Sequence, residues 1–437
     1  MLNTHNMKVI KSSPITSFGG LNFVLKEMDE RGIGALLERE LPELPTQCRY
    51  NWRDLLYSFW SVFFCGGDHI EDLAINIKGG FGNNPMLSFP SPDRLLERMK
   101  ELACPKDLVR TSRSNLYHEF SSHDLLNSLN LKMLKNMGML EERELVLDFD
   151  HTLIFTDKAD ARMSYQKQRG YNPGVGLVNG KVVYLENRNG NSGAHILQEY
   201  TLERMFQMLS KEQIKISTFR ADSASFSYEG INVINRFVDK FYIRPQRSQA
   251  MARAISKIDQ WTPIETPDGT AYIGEASFTP FERTAIRKKQ ADKLRAYRLV
   301  VTKEKRLDGQ IDIFTKDAYC YWGILTNDPE MTATEVIEFY AQRGAAEKEF
   351  DILKHDFGWK HLPFSKLEQN TVFLIFSAMC RNIYAYMIEL FSKTSKVLRP
   401  HYRLKKFIFR FICIPAKWIR RARGWHLRLY GEVAFKT

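Results

Sequence analysis

Between residues 339 and 357 the sequence repeats with the period of an α-helix on two faces at once. Four polar residues at spacings of three, four and seven fall within about 60° of one another on a helix: Tyr340, Arg343, Glu347 and Lys354. An apolar stripe about 100° away consists of Phe339, Ala346, Phe350, Leu353 and Phe357. The two stripes predict a helix that packs on a core by its apolar face and presents its polar face at the edge of a cleft.

The polar stripe combines one carboxylate with two cations and a phenol. This set suits a metal ion and a phosphodiester backbone, because carboxylates bind hard cations and cationic side chains bind phosphates. A solvated helix face carrying Glu347 and Lys354 is the ordinary alternative, and the geometry alone leaves both interpretations open.

Charge and cysteine usage narrow the function classes. The 437 residues include 63 Lys and Arg against 51 Asp and Glu, a formal charge of +12, which favours a polyanionic partner such as nucleic acid. The six cysteines form no CxxC pair, which argues against a zinc ribbon or a disulfide framework and for a reducing cytoplasm. The N-terminal segment has no apolar signal-peptide region, and the longest apolar run, 372–380, is too short to cross a bilayer.

The pattern of the chain changes from helical to strand-rich near Glu144. From there, the order β-β-β-α-β-α-β is expected, with Asn179-Gly180 as a strong hairpin signal between two of the strands. The order resembles an RNase H-like fold, so we predict an α/β (α+β) multidomain chain with a mixed-sheet core. The predicted parts are a helical N-terminal DNA-binding region (1–140), the first part of the core (141–245), a β-rich insertion (246–330), the second part of the core with the two-striped helix described above (331–395) and a basic C-terminal tail (396–437).

Two further carboxylate positions follow predicted strands. Asp148 and Asp150 lie on one face of a strand by the period-two rule, and Asp is disfavoured in strands. Metal ligation would explain both, and so would termination of the strand. Asp222 lies between a strand and a helix, where it can be an N-cap, a ligand or both.

The spacing Tyr-x2-Arg-x3-Glu-x6-Lys resembles the signature around the third catalytic acid of bacterial insertion-sequence transposases of the DDE class, and all four positions match. Asp150-His-Thr and Asp222 are similar to the settings of the family's first and second acids. The resemblance implies a catalytic triad of Asp150, Asp222 and Glu347, with Asp148 as the other candidate for the first acid.

From this resemblance we expect Mg2+-dependent cleavage at transposon ends and transfer of the freed 3′-OH into target DNA. The triad would hold two Mg2+ ions, with Mn2+ as a substitute, and Tyr340, Arg343 and Lys354 would contact the DNA. The implied partners are double-stranded DNA, as terminal inverted repeats and target, and a second copy of the chain in a homodimer. No membrane partner is expected, and the expected location is the bacterial cytoplasm, at the nucleoid.

Two other interpretations remain open from the sequence. The run Val146–Leu153 also resembles the first motif of haloacid-dehalogenase-like phosphatases, with Asp148 as nucleophile and Asp150 as general acid, although the later acidic pair of those enzymes is missing. A catalytically inactive DNA-binding protein derived from a transposase is the second.

In the tail, residues 401–430 contain basic and aromatic residues and no acid, a composition that suits DNA or a membrane surface.

Overall fold

The computed structural model of the protein describes residues 15–81, 84–111, 116–266, 269–306, 310–311 and 315–431. Residues 1–14 and 432–437 of the predicted terminal regions lie outside this part of the chain. The chain forms two compact units. The terminal unit contains residues 1–101, 355–361 and 380–437, and the central unit contains residues 102–354 and 362–379.

The described residues form runs of helices near both ends of the chain and a strand-rich middle part. The α-helices are α1 (Leu21–Glu30), α2 (Ile33–Glu40), α3 (Trp52–Phe64), α4 (Pro92–Glu101), α5 (Asp124–Asn136), α6 (Gln198–Lys211), α7 (Tyr228–Phe237), α8 (Gln249–Ile255), α9 (Glu282–Arg287), α10 (Ala333–Ala341), α11 (Ala345–Asp356), α12 (Leu367–Thr394) and α13 (Leu404–Phe407). The strands are β1 (Asp107–Arg110), β2 (Tyr117–Ser122), β3 (Val146–His151), β4 (Ile154–Phe155), β5 (Arg162–Met163), β6 (Arg169–Tyr171), β7 (Gly174–Val178), β8 (Lys181–Arg188), β9 (Thr218–Ala221), β10 (Lys240–Ile243), β11 (Thr262–Thr266), β12 (Gly269–Phe278), β13 (Tyr297–Lys305), β14 (Tyr319–Thr326), β15 (Ala416–Arg421) and β16 (Gly424–Leu429).

The central unit is built on one large mixed sheet. Over the described residues its strand order is β1-β2-β8-β7-β3-β9-β10-β14-β13-β12-β11. Strands β3, β7 and β8 form an antiparallel meander, and β9 and β10 continue the sheet parallel to β3 after the crossover helices α6 and α7. The mixed α/β fold and the predicted order β-β-β-α-β-α-β of an RNase H-like core are therefore confirmed.

The hairpin between β7 and β8 forms where the sequence predicts it. Asn179 and Gly180 have φ angles of 49° and 74°, and a tight turn with both central residues at positive φ matches the right-handed twist of the flanking strands. This turn sets the antiparallel pairing of β7 with β8. Strand β3 pairs with β7 on one side and with β9 on the other, so it lies in the middle of the sheet.

The strands of the predicted insertion extend the same sheet. β14 pairs antiparallel with β10, with Ile243 opposite Leu325, and β13, β12 and β11 follow outward. Helix α10 packs on this part of the sheet by Val336, which is buried against Tyr242, Ile273, Val300 and Ile324. The apolar contact fixes the helix that carries Tyr340.

The terminal unit joins the two ends of the chain. Its core contains large side chains from α3, from the second part of α12 and from residues 404–416, including Trp60, Phe63, Met387, Phe407 and Phe411. The last of these segments belongs to the predicted tail, which is therefore folded over residues 404–429. The region 1–140 is mainly helical, as predicted, and it also contributes β1 and β2 to the sheet of the central unit.

One helix among the described residues, α12, is long and apolar enough to cross a membrane by length and composition alone. In its most apolar window 83% of the residues are buried inside the protein. Because a core helix passes the same test, α12 is weak evidence for a membrane span.

Candidate active site

Asp150 and Asp222 meet at the carboxyl ends of two adjacent parallel strands. In the register of β3 and β9, Phe149 lies opposite Ala221. Asp150 is the next residue of β3, and Asp222 is the first residue after β9. Asp222 also caps the short helical turn that follows, because its Oδ1 accepts a hydrogen bond of 3.0 Å from the backbone N–H of Ala224. Of the two roles that the sequence left open for Asp222, the structure shows the N-cap.

Asp150 is held in a partly buried, charged environment. Its Oδ2 accepts a hydrogen bond from Arg343 Nη1 at 2.9 Å, and its Oδ1 accepts one from the backbone N–H of His151 at 2.8 Å. Burial raises the pKa of Asp150 to about 6; Arg343 opposes this rise, whereas Asp222 and Glu347 add to it. Asp222 and Glu347 are thus both close enough to act on Asp150 electrostatically.

The signature does not lie on a single continuous α-helix, which corrects the expectation of one helix over this segment. Helix α10 ends at Ala341, residues Gln342–Gly344 form a 3-10 turn, and α11 begins at Ala345. A 3-10 turn has about three residues per turn and is narrower than an α-helix, so it changes the direction of the polar stripe between Tyr340 and Glu347.

The signature residues consequently have different surroundings. The Tyr340 hydroxyl donates to the backbone carbonyl of Ala221 at 3.1 Å, directly before Asp222, and burial raises the pKa of this phenol. Glu347 is exposed in the first turn of α11. Lys354 is half-buried about 10 Å further along the same helix. The structure therefore brings Tyr340, Arg343 and Glu347 together with the two aspartates, while Lys354 lies at a distance along α11.

Asp148 has a different environment from Asp150, although both lie on one face of β3. Arg220, opposite Asp148 on β9, donates to both of its carboxylate oxygens at 2.7 and 2.8 Å, and the two side chains are only 12% and 8% exposed. Arg220 also donates to the carbonyl of Phe339 at 2.6 Å and lies 4.6 Å over the Phe339 ring. Asp148 therefore anchors α10 to the sheet through Arg220.

Arg244 is a member of the site that the sequence analysis missed. It follows β10, the next parallel strand after β9, and its guanidinium lies 4.2 Å over the ring of Trp322. Burial lowers the pKa of Arg244, and Tyr340, Arg343 and Asp222 are among the groups that act on it. The available signal was its position, since the carboxyl ends of neighbouring parallel strands meet at one edge of a sheet.

The donor chemistry of the site fits a hard divalent cation. Asp150, Asp222 and Glu347 offer only oxygen ligands, and their mutual repulsion at Asp150 is of the kind that a cation relieves. Among the described residues, no three His, Cys, Asp or Glu side chains are already placed to hold a metal ion. Asp150 instead has Arg343 as its cationic partner.

The comparison with known proteins agrees with this geometry. The sequence profile of the family "Transposase DDE domain group 1" matches residues 9–437, nearly the whole chain. The chain belongs to this DDE transposase family. A solved piggyBac transposase synaptic complex with hairpin DNA is similar to this transposase, with a TM-score of 0.44 and 12% identity over 90% of this chain and 80% of that chain. No curated protein matches the transposase.

Family membership makes the protein a DNA transposase with polynucleotidyl transferase or endonuclease activity, and DDE transposases generally use divalent metal ions. It also favours the transposase interpretation of β3 over the phosphatase one. The geometry agrees with this choice, because both oxygens of Asp148, the nucleophile in the phosphatase interpretation, are held by Arg220.

Proposed function

We propose that this transposase belongs to an insertion sequence, cleaves DNA at the transposon ends and joins the freed 3′-OH to target DNA. The observation that carries the proposal is the meeting of Asp150 and Asp222 at adjacent parallel strand ends, with Glu347 and Arg343 acting on Asp150. Two of these groups come from one sheet edge and two from the segment after α10, so the site depends on the packing of α10 on the sheet.

Asp150, Asp222 and Glu347 are proposed to hold two Mg2+ ions, or Mn2+ in their place. Ions bound there would lower the pKa of the attacking hydroxyl and stabilise the leaving oxygen. Arg343 neutralises Asp150 when no metal is bound, which keeps a partly buried carboxylate paired. Tyr340, fixed by its bond to the Ala221 carbonyl, and Lys354 are proposed to hold the DNA backbone with Arg343.

The proposed partners are duplex DNA at the terminal inverted repeats and at the target, and a second copy of the chain. We propose the division of the chain into the five parts predicted from the sequence, with 1–140 as a DNA-binding region. Action on DNA also favours the cytoplasm and nucleoid as the location. The presence of Asp150, Asp222 and Glu347, with Asp150 paired to Arg343, supports an active enzyme over an inactive transposase-derived protein.

Glu347→Gln tests the proposed function. A neutral amide is a poor ligand for Mg2+, so cleavage of a duplex carrying the element's own ends should fall by more than about 100-fold while binding is retained. Nicking is measured on labelled DNA in Mg2+, and binding by gel shift. Glu338→Gln is the matched control, because Glu338 is an exposed helix carboxylate on α10. Undiminished nicking by the Glu347 variant would remove this residue from the active site.

A further inference from the structure

The segment after α13 ends in a two-stranded antiparallel hairpin, β15–β16. Its strands pair from Ala416 with Leu429 to Arg421 with Gly424, and Ala422, at φ 52°, begins the turn. By the period-two rule, one face carries Ala416, Trp418, Arg420, Trp425, Leu427 and Leu429, and the other face carries Lys417, Ile419, Arg421, Gly424, His426 and Arg428. The hairpin therefore has one mainly apolar face and one mainly basic face.

The apolar face is anchored within the terminal unit. Ala416 is fully buried and exchanges two backbone hydrogen bonds of 2.9 Å with Thr16. The indole N–H of Trp418 donates to Asn22 Oδ1 at 3.0 Å. These contacts hold the base of the hairpin, while its turn and the basic-face residues Arg421, His426 and Arg428 stay exposed.

Four cations of the hairpin are arginines exposed to solvent. Within the part of the chain that the structure describes, Arg420, Arg421, Arg423 and Arg428 are exposed and form no ion pair, and residues 401–430 contain no acid. The exposed Arg403, by contrast, is paired with Asp356. Clustered surface cations without ion-pair partners are typical of a site that binds a polyanion.

We propose that the β15–β16 hairpin is a DNA-binding β-ribbon that enters a groove of duplex DNA. A two-stranded ribbon fits the major groove, which is about 12 Å wide, and the arginines of the outer face and turn then reach the phosphates of the groove walls. The exposed ring of Trp425 lies beside the turn and can contact the sugar or base edges. The inference rests on the proposed function only in requiring that DNA is the substrate.

The composition of the turn favours DNA over a lipid surface. A membrane-binding hairpin would place large apolar side chains at its tip, whereas residues 420–424 are Arg-Arg-Ala-Arg-Gly. Except for Ile419, the large apolar residues of the hairpin lie instead on the face that carries Ala416 and Trp418, which contact the terminal unit.

The triple variant R421Q/R423Q/R428Q tests the ribbon. With a 40-bp duplex of mixed sequence, its dissociation constant at about 0.1 M salt should rise about 10- to 100-fold, and the slope of log K against log salt should fall in magnitude by about 0.9 per lost phosphate contact. The charge-retaining R421K/R423K/R428K should bind with a near wild-type slope. Binding is followed by fluorescence anisotropy, after circular dichroism and thermal melting of each variant.

The matched control is K215Q/R236Q/K393Q, which removes the same number of charges from exposed residues that are each paired with a carboxylate. It should bind DNA with nearly the wild-type slope. If both Gln variants weaken binding equally, net charge and not the hairpin is responsible, and the proposal is overturned. The proposal is also overturned if the folded hairpin variant has an unchanged slope of log K against log salt. It is likewise overturned if the hairpin variant loses binding to phosphatidylserine vesicles while its DNA binding is unchanged.

Two further variants keep the result interpretable. If the triple variant is unstable, the single R423Q at the exposed turn must lower the slope by about 0.9, and an unchanged slope overturns the proposal. E347Q separates the two proposals. If E347Q loses cleavage and the hairpin variant binds DNA normally, the ribbon alone is refuted. If E347Q cleaves normally and the hairpin variant loses DNA binding, the proposed function alone is refuted.

Discussion

Asp148 and Asp150 lie two residues apart on the same face of β3, yet their surroundings give them different chemistry. Arg220 binds both oxygens of Asp148 in a buried pair that also ties Phe339 to the sheet. Asp150 has one oxygen on Arg343 and lies beside Asp222, at the edge where Glu347 acts on it. The first residue is therefore expected to support the fold and the second to take part in catalysis.

Asp148→Asn and Asp150→Asn should separate these roles. Asp148→Asn leaves Arg220 without its buried anion, so the free energy of unfolding should fall by about 3–5 kcal/mol. Asp150→Asn should remove cleavage with no loss of stability at neutral pH. Urea unfolding and nicking assays of both variants measure the two effects. The phosphatase interpretation would regain support if the Asp148 variant were stable but inactive and the wild type hydrolysed a small phosphate ester.

The raised pKa of Asp150 predicts a pH-dependent stability of the metal-free protein. Because its pKa is about 6 in the folded state and about 3.8 in the unfolded chain, the folded state binds the extra proton between these values, and stability falls as pH rises through this range. The loss amounts to up to about 3 kcal/mol.

Asp150→Asn removes this titration. The variant should match the wild type near pH 4 and exceed its free energy of unfolding by about 2–3 kcal/mol at pH 7, as measured by urea unfolding in EDTA. Parallel pH profiles of the two proteins would show that Asp150 is not buried as the structure has it.

The signature is carried by two helices and a 3-10 turn, and α10 decides where that turn lies. The contacts that hold α10 include the burial of Val336, the bond from Arg220 to the Phe339 carbonyl, and a capping box in which Thr332 and Glu335 satisfy each other's backbone N–H groups. A helix of nine residues is too short to be stable alone, so these contacts also position Tyr340 and Arg343.

Thr332→Ala should destabilise α10 at its N-terminal end. Loss of the cap costs about 1 kcal/mol, and hydrogen exchange of the α10 amides should become faster by about fivefold. Thr334→Ala, an exposed position inside the helix, is the matched control and should be neutral or slightly stabilising, because Ala is the better helix former. Equal exchange rates in the two variants would show that the capping box does not limit the opening of α10.

On the scale of the whole molecule, the terminal unit connects the two ends of the chain through aromatic packing. The ring of Phe411 stacks on Phe391 at 4.6 Å and on Phe407 at 5.0 Å, and it meets Phe23 edge-on at 6.1 Å. The predicted tail is thus part of a core, and truncation from residue 401 would remove buried side chains together with the basic hairpin.

Phe411→Ala and Phe409→Ala form a matched pair that tests this core. Phe411 is 2% exposed and Phe409 is 69% exposed, two residues apart. Truncation of the buried ring should cost about 3–5 kcal/mol, and truncation of the exposed ring about 0.5 kcal/mol or less. Thermal and urea unfolding measure both variants. Equal effects would place the tail outside the core.

Local patterns in the sequence determined the elements of the site. The Asn179-Gly180 turn, the period-two placement of Asp148 and Asp150, the strand-to-helix setting of Asp222 and the spacing from Tyr340 to Lys354 are all properties of short segments, so they could be predicted. Arg244 shows the limit of such patterns, since only the pairing of β10 with β9 places it beside Asp222.

Tertiary structure decided which of these residues meet. Asp148 and Arg220 are 72 residues apart, and their pairing distinguishes Asp148 from Asp150, which the sequence pattern could not do. The 3-10 turn after α10, the joining of the insertion strands to the core sheet and the burial of Phe411 depend likewise on packing between distant segments. Composition marked the tail as basic and aromatic, whereas the pairing of β15 with β16 sorted those residues onto two faces.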